Sequence, residues 1–146
     1  MLSYPEARGH AGNLGLLLSA HAHEAKPAIV DLTRADAPRP VSYRELDAAC
    51  NAVARGLARA GIERGDRVGI LSLNRWEFVA VILGAMRAGV VPVPINVKLA
   101  AETVAYITAD SGAKLVFTEA PLRGLVPAGC RIVEFGSGGA DGFDAF

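Results

Sequence analysis

Three observations predict an α/β fold with a doubly wound, mostly parallel sheet flanked by helices. Short apolar runs typical of strands alternate along the chain with segments whose apolar residues recur at helical spacing. One run, residues 67–73, is apolar almost throughout, as expected of a strand that is covered on both faces. The chain has 146 residues, 51% of them hydrophobic, which is enough for the core of one domain.

The beginning of the chain predicts a short helix, a strand and a loop. Residues 27–32 form an apolar run that predicts a strand, and residues 33–40 are rich in turn-forming residues. The short helix before them is predicted from apolar spacing at Leu14, Leu17, Leu18 and His21.

A long helix follows the extended residues 41–43. Ser42 and Glu45 have the spacing of a capping box, in which each side chain accepts a hydrogen bond from the other residue's backbone N–H. Gly61 is placed to end the helix in the left-handed conformation. The apolar stripe between these signals consists of Leu46, Ala49, Cys50, Val53, Leu57 and Ala60.

The strand at 67–73 leads into a second helix over 76–88. Asn74 is expected to cap this helix, with Glu77 at the third position after it. The helix is apolar almost all round, which predicts deep burial. Gly89 is expected to end it.

The remaining segments complete the alternation of strands and helices. Residues 90–95 predict a strand whose two prolines indicate an edge position. A helix is expected over 101–110, and strands over 114–118 and 131–135. We therefore expect a tail at 1–12, one α/β domain at 13–135, and a frayed, glycine-rich tail at 136–146.

Charge and composition exclude several classes of function. Fifteen Lys and Arg balance fifteen Asp and Glu, so no basic field points to nucleic acid or to an anionic membrane. The longest apolar run, 78–86, is about half the length that spans a bilayer. Residues 1–6 lack the pattern of a secretory signal. We therefore expect a cytoplasmic protein, in which Cys50 and Cys130 stay reduced.

Motifs that carry chemistry are absent from the sequence. It contains no phosphate-binding G-x-x-x-x-G-K-[ST] and no G-x-S-x-G nucleophile elbow. His21 and His23 lie beside Glu24, but residues two apart on a helix point to different faces, so we expect no metal site there. The residues alone indicate neither a catalytic group nor a metal ligand.

Five segments nevertheless resemble, in order and at the right spacing, the adenylate-forming ligases of the AMP-binding superfamily. Val41–Leu46 is similar to the family's [T/S]-Y-x-E-L motif, and Gly61–Ile70 to its G-[VI]-x-x-G-D-x-V stretch. Asn74–Phe78 resembles N-x-x-[ED]-[FY], and Leu83–Asn96 resembles the motif [KR]-x-G-x-x-x-x-P-x-N. Leu99–Thr118 continues the pattern, so the likeness covers roughly residues 12–120.

The resemblance implies mainly structural roles for the residues of these motifs. Arg87 is the exception. In some acid–CoA ligases a basic residue at the similar position contacts the phosphates of CoA, so the resemblance implies this role for Arg87. Lys98 is a weaker candidate for the same role. The alternative for Arg87 is a helix-end arginine stabilised by the helix dipole. The structural positions are Ser42, Tyr43, Glu45, Leu46, Gly65, Asp66, Asn74, Gly89, Pro94 and Asn96.

The resemblance also implies a reaction: a carboxylic acid, ATP and Mg²⁺ give an acyl-adenylate, from which the acyl group passes to CoA. The family's phosphate loop, its ribose-binding acid and its adenylating lysine have no counterpart in these 146 residues. We therefore expect this chain alone to be inactive and to bind none of these cofactors, because nucleotidyl transfer depends on positioning and electrostatics.

Two other readings stay open. The chain could belong to an adenylation domain that loads a carrier protein, or it could be a free-standing, non-catalytic interaction module. In either case an exposed apolar face would favour self-association. The sequence does not indicate which acid is the substrate.

Overall fold

A four-stranded parallel sheet forms the centre of the fold. The computed structural model describes residues 12–33, 36–137, 139 and 142–146. In chain order, the strands and α-helices of these residues are β1 Pro27–Asp31, β2 Arg39–Ser42, α1 Tyr43–Arg59, β3 Arg67–Leu71, α2 Trp76–Arg87, β4 Val91–Pro94, α3 Ala101–Ser111, β5 Ala113–Glu119 and β6 Ile132–Phe135. The central sheet has the order β4-β3-β5-β6, and every neighbouring pair in it is parallel. The predicted α/β class is confirmed.

Helices cover both faces of this sheet. Along β5, Leu115 and Phe117 contact the cluster that includes side chains of α1 and α2, whereas Val116 belongs to the cluster on the side of α3. Strand side chains alternate between faces, so adjacent residues of one strand build two different cores. This arrangement is the doubly wound one that the alternation of elements predicts.

The first two strands lie outside the parallel sheet. β1 and β2 form a separate antiparallel pair in which Pro27 lies opposite Ser42 and Asp31 opposite Arg39. The connection over residues 32–38 is shorter than the dozen residues that a parallel crossover needs, so the pairing is a hairpin. The alternation of strands and helices along the sequence did not predict this antiparallel pair.

The prediction of a short helix around Leu14 is wrong, because this segment forms two 3₁₀ turns, Leu14–Leu16 and Ser19–His21. The Ser19 hydroxyl donates to the Leu16 carbonyl over 2.7 Å, and this kind of local bond competes with a continuing helix. Leu14 and Leu17 are 70% and 65% exposed, so the apolar spacing does not mark a buried face.

The long helix α1 begins and ends as predicted. Ser42 Oγ accepts from the backbone N–H of Glu45 over 3.2 Å, and Glu45 Oε2 accepts from the backbone N–H of Ser42 over 2.8 Å. Gly61 has φ +74° just after the helix. The buried residues of α1 are Leu46, Cys50, Val53, Gly56 and Leu57.

The expected cap of α2 is wrong. β3 ends at Leu71 instead of residue 73, and the residue at the N-cap is Arg75, without a side-chain capping bond. Asn74 lies one residue too early to cap the helix. The guanidinium of Arg75 instead pairs with Glu77 in the first turn of the helix.

The predicted edge strand is confirmed as β4. The backbone N–H of Val91 donates to the carbonyl of Asp66, just before β3, over 2.8 Å. The N–H of Ile95, just after β4, donates to the carbonyl of Ile70 in β3 over the same distance. Alternate residues of a strand point their N–H to opposite sides, so Pro92 and Pro94 lie on the free side.

Residues 142–146, in the predicted C-terminal tail, lie against the core. A 3₁₀ turn, Phe143–Ala145, follows Gly142, and the rings of Phe143 and Phe146 pack against the core. Two aromatic side chains thus bury apolar surface at the end of this glycine-rich segment. The predicted tail at 1–12 falls, up to residue 11, outside the described residues.

Candidate functional site

The carboxyl edge of the parallel sheet holds a network of polar side chains. Glu119, the last residue of β5, accepts hydrogen bonds from the backbone N–H of Leu73 over 2.6 Å and from the Ser72 hydroxyl over 2.9 Å. Ligands of open α/β sheets bind at this edge. Glu119 therefore determines the conformation of the loop that follows β3.

Arg75 joins this network to helix α2. Its Nε and Nη2 donate to both carboxylate oxygens of Glu77 over 2.9 and 2.8 Å, and Nη1 lies 3.8 Å from Glu119 Oε2. The guanidinium also lies 4.8 Å from the centroid of the Phe135 ring. The hydrogen bond to Glu77 is the main cause that raises the pKa of Arg75 above its usual value. The three charged groups are mostly shielded from solvent, and the guanidinium attracts both carboxylates.

A groove of about 450 Å³ opens beside this network at the carboxyl ends of β3 and β4. It brings together Asn74, Pro94 and Asn96, three of the family-motif positions, although twenty residues separate Asn74 from Pro94. Asn96 Oδ1 accepts from the backbone N–H of Lys98 over 2.9 Å and shapes the turn after β4. The groove is lined by Ser72, Leu73, Asn74, Phe78, Pro94, Ile95, Asn96 and Val97.

The chemistry of this lining is that of a binding surface. It offers amide and hydroxyl groups above apolar side chains, and it contains no acid, base or cation. Such groups can orient a ligand by hydrogen bonds, but none of them carries a positive charge that would neutralise a phosphate.

Arg87 lies at the opposite edge of the sheet, at the end of α2. Nε donates to the Gly15 carbonyl over 2.7 Å, Nη1 to Asn51 Oδ1 over 2.8 Å, and Nη2 to Asp47 Oδ1 over 2.6 Å. The side chain is only 6% exposed. Arg87 thus ties the N-terminal 3₁₀ turn and α1 to α2, and each of its guanidinium nitrogens donates to a protein acceptor.

Lys98 is exposed and follows β4, whereas Arg87 precedes that strand. The two candidate contacts for CoA phosphate therefore lie at opposite ends of β4. The structure does not bring them together.

The other motif residues stabilise turns and helix ends. Asp66 Oδ2 accepts from the Glu63 backbone N–H and from Lys114 Nζ, both over 2.8 Å, and the bond from Lys114 is the main cause that lowers the pKa of Asp66. Gly65 and Gly89 have positive φ, and Gly89 N–H donates to the Met86 carbonyl.

Two further motif residues lie at the start of α1. Leu46 is 1% exposed in the core. The ring of Tyr43 lies 5.2 Å from that of His21, and Lys26 Nζ lies 5.4 Å from its centroid. Leu46 is thus a core residue, and Tyr43 contacts two residues of the segment before β1.

One histidine of the pair, His21, contacts a glutamate. His21 Nδ1 is 2.7 Å from Glu24 Oε1, and Lys26 Nζ contacts the other oxygen of Glu24. Within the described ranges no group of three His, Cys, Asp or Glu residues could hold a metal ion. Cys50 and Cys130 are free, and burial raises the pKa of Cys50 to about 11, which leaves its thiol unreactive.

Sequence reasoning missed Arg75 and Glu119. Glu119 ends a seven-residue strand whose centre is buried, and a polar residue at the carboxyl end of a central parallel strand is the signal that could have found it. Arg75 carried no such signal, because two of its three partners, Glu119 and Phe135, are distant in the chain.

No helix in the described part of the chain is long and apolar enough to cross a membrane.

Comparisons with known proteins agree with this geometry. The profile of the family described as AMP-binding enzyme matches residues 17–136. The long-chain-fatty-acid–CoA ligase FadD13 of Mycobacterium tuberculosis is 41% identical over 88 residues, which are 60% of this chain and 18% of the ligase. The 3-hydroxybenzoate–CoA/4-hydroxybenzoate–CoA ligase of Thauera aromatica is 43% identical over 84 residues, 58% of this chain and 16% of that protein.

A solved structure shows the same similarity. The Mycobacterium tuberculosis fatty acyl CoA synthetase superposes with a TM-score of 0.74 at 32% identity, over 84% of this chain and 26% of that one. The chain thus spans less than a fifth of the curated relatives named above. It belongs to the AMP-binding enzyme family, and it corresponds to the N-terminal part of acyl- and aryl-CoA ligases.

Proposed function

We propose that this chain is the N-terminal part of an ATP-dependent carboxylic acid–CoA ligase. In that reaction the carboxylate attacks the α-phosphorus of ATP and releases pyrophosphate, and the thiol of CoA then displaces AMP from the acyl-adenylate. The supporting observation is the carboxyl-edge groove, where Asn74, Pro94 and Asn96 converge. A parallel α/β sheet presents its ligand-facing loops at this edge.

The role of this part would be to support a site that other residues complete. The network of Glu119, Arg75 and Glu77 holds the loop after β3, while the groove lining has no charged group for a phosphate. ATP, Mg²⁺ and CoA are therefore cofactors of the longer ligase in this proposal. The chain alone would be inactive, and the acid substrate would be bound chiefly by residues outside it.

A role of Arg87 in binding CoA phosphate has less support than its structural role. Its guanidinium nitrogens already donate to Gly15, Asp47 and Asn51, and a phosphate would have to displace one of these acceptors. A role of Lys98 stays a prediction.

Titration calorimetry with ATP and Mg²⁺ tests the first part of the proposal. We expect the 146-residue chain to show no binding tighter than millimolar, because no cationic side chain lines the groove to neutralise the phosphates of ATP. Micromolar binding would overturn the statement that this chain lacks a nucleotide site.

The gene and the longer polypeptide test the second part. A phosphate-loop motif encoded beyond codon 146 supports the ligase, and a stop codon there contradicts it. With the longer polypeptide, acid-dependent exchange of pyrophosphate into ATP identifies the substrate class. Transfer to CoA then separates a CoA ligase from an adenylation domain that loads a carrier protein.

One observation favours an interaction surface as a second function. Val30, Leu32 and Leu73 are 54%, 64% and 56% exposed, and Val30 and Leu32 line a groove of about 440 Å³ beside Arg75. Exposed apolar side chains at one edge favour association with another protein or another copy. Gel filtration over a range of concentrations measures self-association, and one constant elution volume would contradict it.

We also propose that the protein works in the cytoplasm.

A further inference from the structure

Residues 142–146, which we call the strap, lie in an aromatic groove beneath α1. The Phe146 ring meets the Phe117 ring edge-on at 5.3 Å between centroids and an angle of 89°. The Phe143 ring lies 5.2 Å from Phe135 and 6.5 Å from Trp76. These separations are typical of favourable aromatic contacts, so both rings of the strap are bound by the core and not merely placed over it.

The backbone of the strap is also held at both ends. Gly142 forms a parallel bridge with Glu134 on the outer side of β6. The Phe146 N–H donates to the Gly142 carbonyl over 3.1 Å, and the Arg59 guanidinium donates to the Phe146 carbonyl. The strap therefore continues the sheet edge for one residue and then turns into the groove.

Gly56 shows that α1 is shaped for this occupant. It lies in the interior of the helix, where alanine is the more stable residue. A Cβ at this position would lie 2.5 Å from the Phe146 carbonyl oxygen and 2.6 Å from Cδ1 of its ring. The space that glycine leaves is filled by the strap, which offsets the weaker helix propensity.

We propose that this groove is a binding site for a peptide of the form Phe-x-x-Phe in a single 3₁₀ turn, occupied by the strap of the same chain. The two rings enter the space among Phe117, Phe135 and Trp76, and Arg59 takes the carbonyl of the second Phe. The site is independent of the ligase proposal, because none of its contacts involves the carboxyl-edge groove.

The substitution Gly56→Ala tests whether the strap occupies the groove. Trp76 is the only tryptophan, and Phe143 packs against its ring, so its fluorescence reports on the strap. We expect the variant to show a lower Tm and a red-shifted emission, although alanine alone would stabilise the helix. Gly124→Ala is the control, since a Cβ there meets no atom within 4 Å. A higher Tm with unchanged emission in Gly56→Ala would overturn the proposal.

A peptide added in trans tests the binding site itself. In the full chain carrying Phe143→Ala and Phe146→Ala, we expect the peptide Gly-Phe-Asp-Ala-Phe to reverse the red shift of Trp76 in a saturable way. Gly-Ala-Asp-Ala-Ala should leave the emission unchanged. An equal response to the two peptides, or none to either, would contradict a Phe-x-x-Phe site.

Two controls keep this result interpretable. Far-UV circular dichroism checks that the double variant is folded; if it is not, Phe146→Ala alone receives the same peptides. When the unmodified chain is diluted to concentrations at which gel filtration shows a monomer, its blue-shifted emission should persist. A dimer that loses this emission on dilution would show that the strap of a second copy occupies the groove, which overturns occupation within one chain.

Discussion

Arg87 has a structural role, although an arginine at this position also suggests a contact to a phosphate ligand. Its position at the end of α2 and its charge were compatible with a phosphate contact or with the helix dipole. In the structure, Arg87 hydrogen-bonds to Gly15, Asp47 and Asn51, which belong to two other segments. A planar guanidinium can satisfy several acceptors at once, and this suits it to a junction of three segments.

We expect Arg87→Ala to lower the free energy of unfolding by about 3 kcal/mol, because it leaves the shielded Asp47 carboxylate without its ion-pair partner. Urea unfolding measures the loss. Arg55→Ala on the exposed side of α1 is the matched control and should change stability by less than about 0.5 kcal/mol. Equal effects of the two substitutions would refute the role of Arg87 as a junction.

Glu24 makes part of the stability depend on pH. Hydrogen bonds from Lys26 and then His21 lower the pKa of Glu24 from 4.5 to about 2. A carboxyl whose pKa is lower in the folded state stabilises the fold above its unfolded pKa, and this contribution disappears as the pH falls through the folded value. It is therefore complete above about pH 4.5 and is lost toward pH 2.

Melting curves between pH 6 and pH 2 measure this dependence. In Glu24→Gln the fall of Tm with decreasing pH should be shallower than in the unmodified chain, and the two curves should converge near the acid end. Glu63→Gln, at an exposed glutamate without an ion pair among the described residues, should follow the unmodified curve. Because Glu24 is at the surface, molar salt should reduce the difference between the curves.

At the scale of elements, strand β4 is an edge strand whose prolines oppose pairing with a further strand. Pro92 and Pro94 alternate with residues whose N–H groups bond to β3, so the free side of the strand has no donor at either position. Proline on an edge strand prevents another strand from pairing there. The alternating prolines therefore close one edge of the sheet.

Replacing both prolines by alanine should open this edge. We expect Pro92→Ala with Pro94→Ala to associate in a concentration-dependent manner, because two N–H groups then face solvent beside exposed Val91. Dynamic light scattering of freshly purified protein measures the particle size. Pro121→Ala, in an exposed 3₁₀ turn, should behave like the unmodified chain. A double variant of unchanged size at all concentrations would rule out this role of the prolines.

For the whole molecule, the hydrophobic clusters on the two faces of the parallel sheet are coupled through the strands that they share. Ile70 and Phe117 contact the core on the side of α1 and α2, while their neighbours Leu71 and Val116 contact the core on the side of α3. Losing one helix layer would expose side chains of the same strands that hold the other. This continuity favours one cooperative unfolding transition.

We expect the urea transitions followed by Trp76 fluorescence and by far-UV circular dichroism to coincide. Trp76 reports on the side of α2, whereas the dichroism reports on all helices, including α3. Calorimetric and van't Hoff enthalpies of thermal unfolding should also agree. A dichroism transition that continues after the fluorescence change is complete would show that the two layers unfold separately.

The features predicted correctly have causes that are close together in the chain. The capping box of Ser42 and Glu45, the turn at Gly61 and the edge position of the Pro92–Pro94 strand each depend on a few neighbouring residues. The parallel sheet was also predicted, because helical segments between strands require crossover connections.

The features that were missed depend on partners far away in sequence. Arg75 meets Phe135, Glu119 holds Leu73, and Phe146 fills the space beside Gly56, at separations of 46 to 90 residues. The hairpin of β1 and β2 was missed for a related reason, since an extended segment does not specify its partner.

The sequence by itself determined the fold class, the boundaries of most elements and the family to which the chain belongs, because periodicity, capping and motif spacing are local properties. Only the tertiary structure decided which polar groups meet at the carboxyl edge, that Arg87 is enclosed by protein acceptors, and that Phe143 and Phe146 pack against the core. Those outcomes depend on which surfaces pack together, and packing is a property of the whole chain.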